Sequence, residues 1–317
     1  MTQKCGYVAL LGRPNAGKST LLNAVLKAKI AVVSAKPQTT RNRILGVHTE
    51  KDTQIVFLDT PGMHKAEKLP RINNTMNRVA WSVLREADLI CYLVDADNGW
   101  HEEDGHYLKG ILEKSDKKIL LLATKVDASK KDQIQKGVAT ILDGVQHAVK
   151  NLPEDTISKR FLQPLPNEIS AKRPESVADF RAHVAALMPE GPWLFAEDDL
   201  TDLPQQFICG EIIREQIFRQ MSAELPYSCA VKVDKFTRDG KLVRITATLI
   251  VQRENHKGML IGKGGSRIKV LGQSSRESLE KHLGEKVFLE LFVKVQEGWI
   301  DSASLISEYA SLQEPEA

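Results

Sequence analysis

Residues 7–29 read "YVALLGRPNAGKSTLLNAVLKAK". The first six form an apolar run, the next eight fit G-x-x-x-x-G-K-S, and the rest has the periodicity of a helix. Strand, glycine loop and helix in that order are the context in which this loop cradles phosphate on backbone N–H groups at a helix N-terminus. Gly12 and Gly17 permit backbone angles and close approaches that a Cβ would forbid. Lys18 reaches for the outer phosphate oxygens, and the Ser19 hydroxyl is the expected Mg²⁺ ligand. Arg13, Pro14, Asn15, Ala16 and Thr20 complete the loop and its exit.

Working outward, "IVFLD" (55–59), "LICYLVDA" (89–96) and "KILLLATK" (118–125) are near-continuous apolar runs. Such strands belong in a parallel sheet covered on both faces. Helical stretches separate them, and the segment closes on "ESVADFRAHVAALM", with Val177, Phe180, Val184 and Leu187 on one face. The expected architecture is a doubly wound α/β domain over residues 1–188.

Three strand ends refine the ligand. "DTPG" places Asp59 for Mg²⁺ and Gly62 as an N–H donor to the terminal phosphate, with Thr60 and Pro61 between them. "TKVD" supplies Thr124, Lys125, Val126 and Asp127. A carboxylate at Asp127 accepts hydrogen bonds from guanine N1–H and N2–H₂, which adenine cannot offer, while the Lys125 stem covers the base. "ISA" and the following Lys172 bring Ser170 and Ala171, whose backbone can donate to guanine O6. Together these motifs point to GTP and GDP as ligands. "KPQTTRNR" (36–43) reads as a mobile loop offering Thr40, with Thr39 in reserve, to Mg²⁺ when a γ-phosphate is present. Lys18, Thr40 and Gly62 are therefore the expected catalytic groups.

After "PEGPWLFAEDDLTDLP" (189–204), read as a linker, the pattern changes. A helix near 205–223, a hairpin turning at Asp239-Gly240, the loop "GKGG" (262–265), a helix near 265–283 and an alternating strand to 295 give the order α-β-β-α-α-β. That is an α+β type II KH domain over residues 205–298, with a tail (299–317) expected to fray beyond Trp299. Its G-x-x-G loop clamps about four nucleotides of single-stranded RNA. Gly262, Lys263, Gly264 and Gly265 form the clamp, and Arg253, Lys257, Arg267 and Lys269 add positive charge. Met259, Leu260, Ile261 and Ile268 are candidates for the groove floor.

"GRPNAGKST", "QTTR", "DTPGMH", "TKVD", "ISA" and "EIIREQIFRQMSAELPYS" (211–228), in this order, resemble the Era family of bacterial GTPases over about residues 5–300. The resemblance implies GTP hydrolysis, binding to the 3′ end of 16S ribosomal RNA, a role in assembling the 30S subunit, and peripheral contact with the cytoplasmic membrane. It also implies that Asn15 holds a K⁺ ion near the β- and γ-phosphates. Two departures matter. Thr124 replaces the usual Asn of the guanine motif, so ties to the phosphate loop are expected to be fewer. The segment near 143–166, "KNLPEDTISKRFLQPLP" at its core, is a local extension. Met63 stands where Ras-like enzymes carry their water-orienting glutamine, which leaves His64 as a candidate base and electrostatics as the main source of catalysis.

Bulk properties agree with this reading. Charged residues make up 27% and the net charge is +3, too little to identify a partner. Cys5, Cys91, Cys209 and Cys229 are scattered, which implies reduced thiols rather than a disulfide frame or zinc site. No apolar run spans a bilayer and the start "MTQKCGYVALLG" lacks a signal-peptide layout, so a cytoplasmic monomer is expected. Two other classes stay open at this point. One is an RNA-binding adaptor whose guanine site is structural; the other, which Asp127 opposes, is an ATP-fuelled kinase or ATPase.

Overall fold

The computed structural model describes residues 2–34, 36–63, 70–221 and 224–312. They form two compact units. The first comprises the described residues of Met1–Ile30, Arg43–Glu67 and Met76–Asp202, and the second those of Ala31–Asn42, Lys68–Thr75 and Leu203–Ala317.

The first unit is built on a six-stranded sheet. Its strands are β1 (Lys4–Gly12), β2 (Ile44–Glu50), β3 (Thr53–Asp59), β4 (Leu89–Asp95), β5 (Lys118–Thr124) and β6 (Asn167–Ile169), in the order β2-β3-β1-β4-β5-β6. All neighbours are parallel except β2 and β3. Helices α1 (Lys18–Leu26), α2 (Arg71–Glu86), α3 (Glu102–Lys114), α4 (Lys131–Val149), α5 (Thr156–Arg160) and α6 (Pro174–Leu187) connect them. Val8, Leu10, Ile90, Leu93, Leu120 and Leu121 are fully buried, as strands covered on both faces require. Strand order reverses beside β1, and the crevice at the carboxyl ends there is where such folds place a ligand.

β2 has no strand signal in the sequence, because Gly46 and His48 interrupt its apolar residues. A Cβ at Gly46 would lie 2.7 Å from the Leu22 and Leu26 methyls, so that glycine lets the edge strand close on α1. On α6, Val177, Phe180 and Val184 are buried as the periodicity predicts. Leu187 is not; it is 37% exposed in the last turn of its helix. In the 143–166 extension, α4 runs on to Val149 and α5 follows. Phe161 then forms a parallel bridge with Ile119, and Leu162 N–H donates to the Ile119 carbonyl at 2.9 Å. The extension thus lines the opening of β5, and β6 pairs only with its end.

Residues 189–202 of the expected linker belong to the same unit and are strapped to it rather than free. The Cys5 N–H donates to Pro189 O, the Gln54 side chain accepts from Leu194 and Phe195 N–H, and the Thr201 hydroxyl donates to Leu45 O.

The second unit follows the α-β-β-α-α-β order. α7 (Gln205–Gln220) precedes a three-stranded sheet of β7 (Ala230–Asp239), β8 (Leu242–Val251) and β9 (Lys286–Val295), with α8 (Glu254–Ile261) and α9 (Ser266–Leu283) between β8 and β9. The hairpin turns through Gly240 at φ 58°. Ile208, Ile212 and Ile217 of α7 join Val243, Ile245, Ala247, Leu249, Leu260, Leu271 and Leu279 in one core. Among the described residues, which end at Leu312, the tail packs onto the unit. Trp299 is fully buried with its indole N–H on Ser228 O at 3.0 Å, and α10 (Ala303–Ala310) buries Ile306 and Tyr309. A polar sequence concealed one helical face that a neighbouring sheet buries.

Candidate nucleotide site and GKGG loop

The phosphate loop follows β1 with Gly12 at φ 144°, Asn15 at φ 63° and Gly17 at φ 94°. A Cβ on Gly12 would lie 2.4 Å from Leu93 O, so only glycine fits against β4. Lys18 is 5% exposed and its ammonium donates to Gly12 O at 2.9 Å and Arg13 O at 2.8 Å. The site's own backbone therefore aims the charge across the loop. Burial lowers the Lys18 pKa to about 8, with Asp59 and Asp104 opposing. The Arg13 side chain lies toward α3, 3.6 Å from Asp104 and 3.8 Å from Glu103. Asp104 is itself buried and accepts from the Tyr92 hydroxyl and the His101 N–H, both at 3.0 Å. Sequence reasoning missed Asp104. Its only signal was the acidic "HEED" opening a helix (residues 101–104), a pattern that usually reads as a solvated first turn.

Asp59 ends β3 fully buried. The Ser19 hydroxyl donates to its Oδ2 at 2.6 Å, while its Oδ1 has no hydrogen-bond partner among the described residues. Burial raises its pKa to about 6 against the pull of Lys18, the Ser19 hydroxyl and the Thr60 backbone. A buried carboxylate oxygen with a spare lone pair next to a hydroxyl is a hard-oxygen pair suited to Mg²⁺. Thr60 fastens "DTPG" to β1 by donating to Leu10 O at 2.9 Å. Gly62 lies so near the loop that a Cβ would meet Pro14 Cα at 2.6 Å. Met63 is 1% exposed and packs in the sheet core. Its thioether is therefore spent on packing. His64 lies outside the described residues.

At the base end, Asp127 accepts from the Ser170 hydroxyl at 2.6 Å and pairs with the Lys172 ammonium at 3.1 Å. The Ser170 hydrogen bond, together with the Lys172 ammonium, holds its carboxyl below the usual range against partial burial. Lys125 adopts φ 59° and pairs with Asp95 at 2.8 Å. Val126 packs at the margin of the core. The Thr124 hydroxyl donates to Ala16 O at 2.7 Å and also approaches Val94 O at 3.2 Å. The tie between guanine motif and phosphate loop is therefore present, but rests on one hydrogen. Ser170 N–H is taken by the Ser176 hydroxyl at 3.0 Å, which leaves Ala171 as the backbone donor of that turn.

Thr40 belongs to the second unit, as do Thr39 and the rest of Ala31–Asn42. Within that unit, Lys36 donates to the Phe218 and Met221 carbonyls at the end of α7, and Arg214 donates to Thr39 O. The buried Arg41 guanidinium serves Cys229 O at 2.9 Å, Tyr227 O at 2.7 Å and Pro226 O at 3.2 Å. Nothing in "KPQTTRNR" announced these partners.

The GKGG loop joins α8 to α9 with Gly262, Gly264 and Gly265 all at positive φ, 73°, 56° and 77°. A Cβ at Gly264 or Gly265 would meet nothing within 4 Å, so their outer sides face open space. Lys263, Arg253, Arg267 and Lys269 are exposed and Lys257 is half-buried. Arg267 also crosses back to Met259 O at 3.2 Å. Of the candidate floor residues, Met259, Ile261 and Ile268 are half-buried, but Leu260 is wholly in the core.

These features define a P-loop GTPase fold joined to a KH domain. The family described as 50S ribosome-binding GTPase matches residues 7–125, and the KH domain family matches residues 224–300. The chain is 41% identical over 305 residues to the GTPase Era of Stenotrophomonas maltophilia, covering 96% of each chain. It is 41% identical over 307 residues to that of Geobacter metallireducens, covering 96% of this chain and 97% of the relative. A solved structure of Aquifex aeolicus Era bound to GDP·AlF4⁻ superposes with TM-score 0.84 at 33% identity, covering 97% of this chain and 99% of that one. Another, Era with MgGDPNP and nucleotides 1506–1542 of 16S ribosomal RNA, gives 0.85 at 34% identity, covering 97% and 98%. The chain belongs to the Era family, and it is a GTPase.

Proposed function

We propose that this GTPase binds single-stranded RNA at the 3′ end of 16S ribosomal RNA through its GKGG loop and acts, by turns of GTP binding and hydrolysis, in assembly of the 30S subunit. One observation carries the coupling: the segment bearing Thr40 is fastened by Lys36, Arg41 and Arg214 into the unit that carries the RNA loop. A γ-phosphate that recruits Thr40 must compete with those hydrogen bonds, so nucleotide state and the KH unit share one segment. The solved complex of a relative with both MgGDPNP and 16S RNA supports the same pairing. Domain limits are placed at 1–188 and 205–298, with the strap 189–204 between them.

In the nucleotide site, Lys18 delivers its charge to the β- and γ-phosphate oxygens. Phosphate at that point reverses the burial that lowers its pKa. Ser19, Asp59 and Thr40 would hold Mg²⁺, which when bound neutralises phosphate charge. Gly62 donates its N–H to the γ-phosphate, and Asp127 selects guanine while Ala171 serves O6. Asn15, held at φ 63°, would hold K⁺. With Met63 in the core, no side chain at that position orients water, so turnover rests on fixed charge and backbone donors and is slow. Among the described residues no helix is long and apolar enough to cross a membrane. We place the protein in the cytoplasm as a monomer, with any membrane contact peripheral.

Co-sedimentation with 30S subunits in GDP and in a non-hydrolysable GTP analogue tests the coupling. Binding should differ between the two states, and equal binding refutes it. Single-turnover hydrolysis with and without 30S subunits separates this reading from an adaptor with a structural nucleotide.

A further inference from the structure

Helices α7, α8 and α9 cover one face of the sheet of the second unit, while α10 lies over the Lys232 and Lys294 end of the other, with the Lys294 ammonium donating to the Tyr309 hydroxyl at 3.1 Å. On that other face, β9 presents Phe288 at 46% and Phe292 at 55% exposure. Two large rings left in water on one strand need a reason, since burying either would stabilise the fold. Register places Phe288 beside Arg244 and Phe292 beside Thr248 on β8. The Arg244 guanidinium lies 5.4 Å from the Phe288 ring centroid. Glu290 separates the rings and meets the Thr246 hydroxyl at 3.4 Å. The rings stand about 13 Å apart, four residues along one strand.

This is not the make-up of a protein interface core, which joins apolar side chains into one patch. Separate rings flanked by a cation and hydroxyls are how sheets receive unstacked bases. The place of β9 adds continuity. Its opposite face packs on α9, the helix that starts at the GKGG loop, with Leu291 against Gly272. β9 pairs only with β8, so among the described residues its outer edge is free.

We infer that the outer face of β9 is a second RNA subsite, in which Phe288 and Phe292 stack non-adjacent bases of a strand that leaves the GKGG groove over the edge of β9. The inference rests on the RNA role proposed for that loop. It means that the protein reads more nucleotides than the loop alone can hold.

The test is fluorescence anisotropy with labelled single-stranded RNA of four and of ten nucleotides from the 3′ end of 16S ribosomal RNA. Wild type, Phe288→Ala, Phe292→Ala and the double variant are compared, with Phe292→Trp as a rescue. Both rings are exposed, so basal GTP hydrolysis should be unchanged, and retained four-mer binding reports that the second unit is folded. The ten-mer should weaken about five- to 150-fold per ring lost, as base–aromatic stacking predicts, while the four-mer holds. Phe292→Trp should bind the ten-mer at least as well as wild type. A double variant that keeps full ten-mer affinity overturns the subsite and leaves the GKGG assignment standing. A wild type that holds neither oligomer overturns both. Self-association of the wild type that the double variant loses would make a second copy the occupant and also overturn it.

Discussion

Thr124 offers a sharp test of how the guanine motif braces the phosphate loop. Its side chain is 5% exposed, and its single hydroxyl hydrogen serves Ala16 O at 2.7 Å with Val94 O at 3.2 Å as a distant second acceptor. Valine keeps the shape and removes the donor. Leaving a buried acceptor short costs about 1–3 kcal/mol, so GDP affinity should fall roughly five- to 150-fold if the loop relaxes in the free protein. Asparagine brings two N–H donors, enough to serve both carbonyls. A Cβ added at Gly17 would sit 3.7 Å from Thr124 Oγ1, an ordinary contact, so the loop has space beside the longer side chain. One added hydrogen bond is worth about 1 kcal/mol, or about five-fold tighter GDP binding. Equilibrium titration with a fluorescent GDP measures both variants, and thermal unfolding without nucleotide reports any loss of fold. Unchanged or weaker binding by Thr124→Asn, or unchanged binding by Thr124→Val, refutes the reasoning.

Four further outcomes follow from the geometry. Asp59 has a pKa raised from 3.8 to about 6, so between these values the folded protein keeps a proton that the unfolded chain has released, and stability falls as pH rises through the window. Without nucleotide, Asp59→Asn should therefore melt higher than wild type at about pH 7.5, with the gap narrowing as pH falls through the window and closing below about pH 3, where folded and unfolded carboxyls are both protonated; equal melting at the higher pH disproves the penalty. Lys263→Asp with Gly264→Asp should abolish RNA binding and spare GTP binding, because both positions face open space; RNA affinity retained at moderate salt would remove the loop from the RNA site. Trp299→Ala should destabilise the second unit by about 3–5 kcal/mol, since it empties a fully buried site and orphans Ser228 O; a loss below about 1 kcal/mol by urea titration counts against a structural tail. Equal hydrolysis rates in K⁺ and Na⁺ buffers would dismiss Asn15 as a potassium ligand.

Much of the chemistry was written locally. A phosphate loop consists of consecutive backbone donors with glycines where φ turns positive, so "GRPNAGKS" and "GKGG" carry their geometry in contiguous residues. Continuous apolar strands announced a sheet covered on both faces, and the order of the P-loop, "DTPG" and "TKVD" announced a GTPase, because each depends on residue type and a neighbouring strand end. The choice of partners for individual side chains was not legible. Met63 could have faced the phosphates but joined the core, and the polar tail hid the burial of Trp299, Ile306 and Tyr309. Arg41 found three carbonyls about 185 residues away in the chain, and Asp104 found Tyr92 and the side of the phosphate loop. Local backbone conformation is decided over a few residues, whereas these pairings were decided by which surfaces close packing brought together. The residues by themselves determined that this chain carries a P-loop GTPase motif and a second glycine loop in a KH domain. Only the fold decided that the segment expected to sense the γ-phosphate is fastened to α7 and to residues 226–229, in the unit that carries the second loop, since long-range contacts are properties of packing and not of spacing.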